Sequence, residues 1–124
     1  MAIDTDGGCE DSFPAVSHAF EWAVYGRPCL GERVSGDVAL VVAMEDKLLI
    51  VLIDVLGHGA EAHTLAREMA EYVTERPVAE PLTMIRKLHE KFKGSRGSAV
   101  GCAVLGATSG SVVFAGVGNP SFRV

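Results

Sequence analysis

Two unbroken apolar runs, Val38 to Met44 and Leu48 to Ile53, dominate the first half of the chain, with Glu45, Asp46 and Lys47 between them. Each run has strand length, and the acidic residues between them suit a turn, so the pattern predicts a β-hairpin over 37–54. Further on the period changes. Ala62, Leu65, Ala66, Met69, Ala70 and Val73 recur at helical spacing, with Glu61, Arg67, Glu68, Glu71 and Glu75 on the other positions. This predicts a helix over 60–75 that Pro77 ends. Pro81, a favoured first-turn residue, opens a second helix over 81–93, with Leu82, Ile85, Leu88 and Phe92 as its apolar stripe and Gly94 beyond its end. Small apolar residues then fill 98–107. Thr108-Ser109-Gly110 reads as a turn, and Ser111 to Val117 as the returning strand of a second hairpin. Gly118-Asn119-Pro120 predicts another turn, and Ser121 to Val124 the start of a further strand.

The N-terminal third is less regular. Residues 16–25 mix apolar and polar positions and read as an edge strand. Residues 26–36, with Gly26, Pro28, Gly31 and Gly36, read as a loop. The acid- and glycine-rich residues 1–12 are expected to be frayed, leaving 13–124 as one domain. The hairpin strands are apolar at consecutive positions, so both their faces must be covered. Each helix has a single apolar stripe and belongs outside. The expected fold class is therefore α+β: a sandwich of two antiparallel sheets flanked by helices, in αββα layers.

The hairpin makes a chemical prediction. With a two-residue turn at Glu45-Asp46, Met44 faces Lys47 and Asp37 faces Asp54; a slip of two would put Leu56 opposite Asp37 instead. Facing side chains lie about 5 Å apart at Cβ, where like charges are destabilising. Two carboxylates at the edge of an apolar core call for a bound divalent cation.

Charge and cysteine content narrow the classes of function. The net charge of −5 argues against nucleic acid as a partner. All sixteen acids fall within residues 1–90. The apolar runs are far too short to span a membrane, and the N-terminus lacks the basic and apolar segments of a signal peptide. Cys9, Cys29 and Cys102 are odd in number and lack metal-motif spacing, which suggests free thiols in a reducing cytoplasm.

The segment Leu52-Ile53-Asp54-Val55-Leu56-Gly57-His58-Gly59 admits several readings. It is a strand end with a glycine-rich turn. Gly57, Gly59 and Ala62 also match G-x-G-x-x-A of dinucleotide sites, but a helix follows where a parallel strand is required, and a hairpin precedes it. No Walker motif is present. His58 and His63 are five apart, unsuited to one helix face and so to a zinc pair.

Ser35-Gly36-Asp37 at one strand start, together with Asp54 to Gly59 leading into a helix, resembles the PPM (type 2C) protein serine/threonine phosphatases. The likeness is greatest to the bacterial branch typified by RsbX and SpoIIE, and Gly116-Val117-Gly118-Asn119-Pro120 is similar as well. The resemblance implies two Mn²⁺ or Mg²⁺ ions between the sheets and a metal-activated water that attacks a phosphoserine or phosphothreonine. The substrate implied is a regulatory phosphoprotein of an anti-sigma or stress-response pathway. By the same likeness Asp54 bridges both metals, Asp37 is the opposing acid, and the Val55 backbone carbonyl is a ligand at a position the family usually gives to glycine. The family draws further aspartates from a C-terminal region, whereas no acid follows Glu90 here. The chain thus reads as part of a longer phosphatase, its C-terminal portion missing, or as a member with incomplete ligation. The alternative function is a non-catalytic regulatory or binding module of the same fold.

Three smaller features complete the reading. His58 is a candidate proton donor to a leaving seryl oxygen, or else a turn residue at a helix start. Arg33 is a candidate phosphate ligand, or a solvated loop residue. Arg86, Lys87, Lys91, Lys93 and Arg96 crowd the end of the second helix, where they complement its dipole or dock an acidic protein.

Overall fold

The computed structural model describes residues 2–3, 19–28, 30–31 and 33–123. Two minimal strands, β1 (Ala2–Ile3) and β2 (Val24–Tyr25), pair antiparallel. The main sheet is built from β3 (Asp37–Met44), β4 (Lys47–Val55), β5 (Ser98–Gly106) and β6 (Val112–Val117), in that order and antiparallel throughout. Between β4 and β5 come α1 (Gly59–Glu75) and α2 (Pro81–Phe92). The class is α+β, as the period changes predict, and both hairpins lie side by side in one sheet. Among the described residues the second sheet is the β1–β2 pair alone.

Period-2 alternation assigns the faces of the main sheet. Val38, Leu40 and Val42, then Leu49, Val51 and Ile53, then Val100, Cys102 and Val104 share the face that meets Ala62, Ala66, Met69 and Val73 of α1 and Met84, Ile85 and Leu88 of α2. Leu49, Val51 and Met84 are fully buried there. Burial also pushes the Cys102 thiol up to about 12, so it is a packing residue and not a nucleophile. The other face carries Asp37, Leu52, Asp54, Gly101 and Phe114. No helix of the described residues is long and apolar enough to cross a membrane.

Local chemistry sets the helix ends. Glu80 caps α2: its carboxylate accepts from the Leu82 and Thr83 amides at 3.1 and 2.7 Å and from the Thr83 hydroxyl. These bonds to the ionised form hold the Glu80 carboxyl below its ordinary range. Gly94, just past α2, has φ 85°, as a helix-ending glycine should.

Two expectations change. The strand expected over 16–25 is, among the described residues, only Val24–Tyr25; residues 16–18 and most of the expected frayed segment 1–12 lie outside those described. Ser121 to Arg123 do not form a strand, and Val124 lies outside the described residues. Pro120, which has no N–H to give a ladder, sits over Gly101, where an added Cβ would come within 2.8 Å of it. Phe122 then stacks on Phe114 with ring centroids 5.6 Å apart. This tail packs flat on the sheet instead of extending it.

Candidate functional site

The hairpin register is the one that a two-residue turn requires. Met44 pairs with Lys47, and Asp37 with Asp54. The hydrogen-bond phase sharpens the geometry. The Val55 amide donates to the Gly36 carbonyl at 3.1 Å, so Gly36 and Val55 form a hydrogen-bonded pair. The next pair, Asp37 and Asp54, is then a non-hydrogen-bonded one, where Cα atoms approach to about 4.5 Å and side chains are closest. Both side chains project from the face opposite the helices.

The electrostatics follow from this placement. The Asp37 carboxyl is raised above its ordinary range, first by burial, then by a hydrogen bond with the Asp54 side chain and by the charge of Asp54. Two carboxyls that share a hydrogen bond in this way hold a proton between them, or accept a cation in its place. Their hard oxygen donors and close approach fit a divalent ion such as Mg²⁺ or Mn²⁺. Among the described residues no third His, Cys, Asp or Glu completes a cluster with them.

The other residues singled out by the sequence lie at varying positions around this pair. Val55 ends β4, and its carbonyl oxygen lies against Gly36, 3.4 Å from where a Cβ would be. It is thus in the adjacent backbone pair. His58 is the N-cap of α1, exposed and extended at φ −150°, and its side chain makes no capping bond. Arg33 is exposed in the loop before β3.

Three further side chains hold the two acid-bearing segments: Ser35, part of the motif but given no role, and His63 and Arg96, weighed from the sequence for other tasks. The Ser35 hydroxyl accepts from the Asp37 amide at 3.0 Å, and His63 Nδ1 lies 2.9 Å from the Ser35 carbonyl, with a donor–acceptor fit that requires Nδ1–H. Arg96, expected among the cations of α2, instead reaches to the segment after Asp54. It donates to the Leu56 carbonyl at 3.4 Å and pairs with Glu61 at 3.0 Å. Gly57, at φ 95°, leaves room for it: a Cβ there would lie 2.5 Å from Arg96 Nη1. The Gly57 position offered a partial signal, since glycine lets another group approach the backbone closely.

No family model matches the sequence. Solved structures match the fold. RsbX, in complex with magnesium, superposes with a TM-score of 0.68 at 22% identity, over 78% of this chain and 49% of RsbX. A chain of the bacterial stressosome, a modular system adapted to control secondary messenger signalling, gives 0.64 at 28% identity over 77% and 50% of the two chains. The RsbU and RsbW domains of Rv1364c from Mycobacterium tuberculosis give 0.53 at 25% identity, over 70% of this chain and 26% of that one. The chain thus spans half or less of the length of these three structures. Its α+β fold, with the antiparallel sheet and the helix pair on one face, is similar to that of the PPM phosphatase RsbX over the part matched, so the chain is RsbX-like in fold.

Proposed function

We propose that this chain carries part of the metal site of a protein serine/threonine phosphatase that acts on a regulatory phosphoprotein of a sigma-factor or stress-response pathway, in the cytoplasm. The observation that carries this reading is the opposed Asp37–Asp54 pair, at the closest-approach position of its hairpin, with the Asp37 carboxyl raised. In this reading Asp37 and Asp54 hold a Mn²⁺ or Mg²⁺ ion, and the Val55 carbonyl supports one of the two ions of a complete site. Residues 13–124 form one PPM-type domain. The bound cation supplies positive charge for phosphoryl oxygens and acidifies a coordinated water. The chain's own part is to set the carboxylate separation; a cation that takes the place of the shared proton would leave both groups ionised. In this reading His58, exposed at the start of α1, gives a proton to the leaving seryl oxygen. Arg33, in the loop preceding Asp37, is a phosphate contact.

Isothermal titration of the chain with Mn²⁺, followed by a phosphoserine-peptide assay, tests this reading. Asp54→Asn should abolish the binding heat. Two carboxylates fall well short of the roughly six oxygen ligands that each hard ion takes, so turnover by these residues alone should be poor even with excess Mn²⁺. Undiminished Mn²⁺ binding by Asp54→Asn rejects the site.

A second reading has its own support. No third ligating side chain joins the pair among the described residues, and one structural neighbour comes from the stressosome. A non-catalytic regulatory module of the same fold would keep the helix-covered sheet and bind a pathway protein without turnover. Binding of a phosphoprotein with no Mn²⁺ dependence selects it.

A further inference from the structure

Three consecutive residues near the start of α1 link the helix to the two acid-bearing segments, Ala62 and His63 directly and Glu61 through Arg96. Glu61 pairs with Arg96 at 3.0 Å, and Arg96 in turn donates to the Leu56 carbonyl, two residues past Asp54. Ala62 packs on Gly36, the residue before Asp37, so closely that a Cβ on Gly36 would lie 3.0 Å from the Ala62 Cβ. His63 bonds the Ser35 carbonyl, and the Ser35 hydroxyl accepts from the Asp37 amide. One side of the helix thus touches the start of β3, and the other reaches the end of β4 through Arg96.

From this geometry we propose that Arg96 is a positioning residue for Asp54, and that the Arg96–Glu61 pair, with the Ala62 and His63 contacts, fixes the separation of the two carboxylates. The inference rests on the cation-site reading above. Like charges at the end of a hairpin push the strand ends apart, where only the last ladder bonds oppose them. The Val55 amide bonds to Gly36 and the Leu56 amide to Gly97, at 3.1 and 3.0 Å. Beyond Leu56 the chain turns through Gly57 at positive φ, which gives it freedom to swing. Arg96 removes that freedom. It packs on the face of Gly57 that has no side chain, and its planar fork joins a main-chain carbonyl to the helix. Lysine has one compact charge and cannot span both partners in the same way. The pair is exposed, with side chains 39% and 83% accessible, so its removal leaves the fold's stability nearly unchanged. Its effect falls on geometry.

The experiment uses the whole chain and two readouts. In the metal-free protein, native-state amide exchange of Val55 and Leu56 should speed up about tenfold in Arg96→Ala, with Leu49 and Val51 unchanged and the thermal midpoint within about 4 °C of the parent. With Mn²⁺ added, paramagnetic broadening of the Asp37 and Asp54 amides should need about tenfold more metal in Arg96→Ala, and Arg96→Lys should recover less than half of that loss. Glu61→Gln should act on the same loss: in the Arg96→Ala background it should add less than a further twofold. Unchanged exchange at Val55 and Leu56 overturns the inference whether or not the parent binds Mn²⁺. A parent that shows no broadening rejects the cation site, and the exchange readout still decides the role of Arg96. Parent-like Mn²⁺ affinity in Arg96→Ala, with faster exchange, reduces the contact to a structural one and also overturns the inference.

Discussion

The first hairpin has two acids at each end, and the two ends carry them differently. At the turn, Glu45 and Asp46 are consecutive, and Glu45 is exposed. At the open end, Asp37 and Asp54 come from different strands and face each other. The turn bears its cost in the backbone: Glu45 sits at φ 47°, in the left-handed region that favours glycine. The open end has regular extended backbone and bears its cost in electrostatics, with Asp37 raised by burial and by Asp54. Backbone strain is relieved by a change of residue type. Opposed carboxyls are relieved by a proton or a cation, and only this second cost can respond to a ligand. Acid content alone therefore does not mark a site; the register that brings the acids together does.

The largest effect should come from the strand between the two ends. Leu49 is fully buried against the helices, and Leu49→Ala should cost about 2–5 kcal/mol in urea unfolding. Because both ends hang on the same β4 strand, the variant should lose the Mn²⁺ response and the turn geometry in one transition. Separate transitions for the two ends would show that the hairpin is not one cooperative unit.

A direct contrast between the ends comes next. Asp54→Asn should eliminate the Mn²⁺-induced amide shifts, whereas Asp46→Asn, one turn position away from Glu45, should leave them as in the parent. Equal loss in both would mean that Mn²⁺ reads net charge and not the opposed pair.

The pH dependence separates the ends again. The folded value of Asp37 lies above its ordinary 3.8. In that window the folded chain holds more protons than the unfolded one, so stability falls as pH rises from 3.8 through the raised value. Saturating Mg²⁺ should remove this fall, because the ion takes the place of the proton, and Asp37→Asn should remove it without metal. Thermal melts across pH 3–7, an interval of roughly the usual carboxylate range and above, check both. Glu80, held below its ordinary range, adds a rise with pH that the parent and Asp37→Asn share. The test is therefore the stability of the parent relative to Asp37→Asn: a difference that does not fall as pH rises would contradict the raised carboxyl.

Much of this was legible in the residues. The strand lengths and both helices follow from period, and the register of β3 on β4 from the two-residue turn, which pairs Met44 with Lys47; a slip of two would keep the same faces, so the apolar pattern alone does not decide it. The resemblance around Asp54 led to the fold that RsbX shares. What escaped was long-range and made by single side chains. Arg96 belongs by sequence to a cationic run after α2, yet it pairs with Glu61, 35 residues earlier. No periodic pattern encodes such a contact; it depends on where Gly97 and Gly57 bring two loops together. The tail over 121–123 was also misjudged, since its apolar residues suit a strand but Pro120 seats them on Gly101 and Phe114.

The smallest expected effect lies at the turn. Glu45 takes a positive φ, and left-handed backbone costs a non-glycine residue roughly 1–2 kcal/mol. Glycine removes that cost but adds unfolded-state freedom worth about 0.5–1 kcal/mol. The difference leaves Glu45→Gly more stable by roughly 0.5 kcal/mol, within the range for turn optimisation. The Asp46 carbonyl accepts from the Ala107 amide at 2.7 Å, which ties the turn to the end of β5 and keeps its shape when residue 45 changes. Mn²⁺ affinity should not move, since the turn and the acid pair lie at opposite ends of the strands. Urea melts and Mn²⁺ titration of the same variant check the two halves together. A gain in stability accompanied by altered Mn²⁺ affinity would show that the two ends of the hairpin are coupled, and that strain at the turn is part of what sets the carboxylate separation.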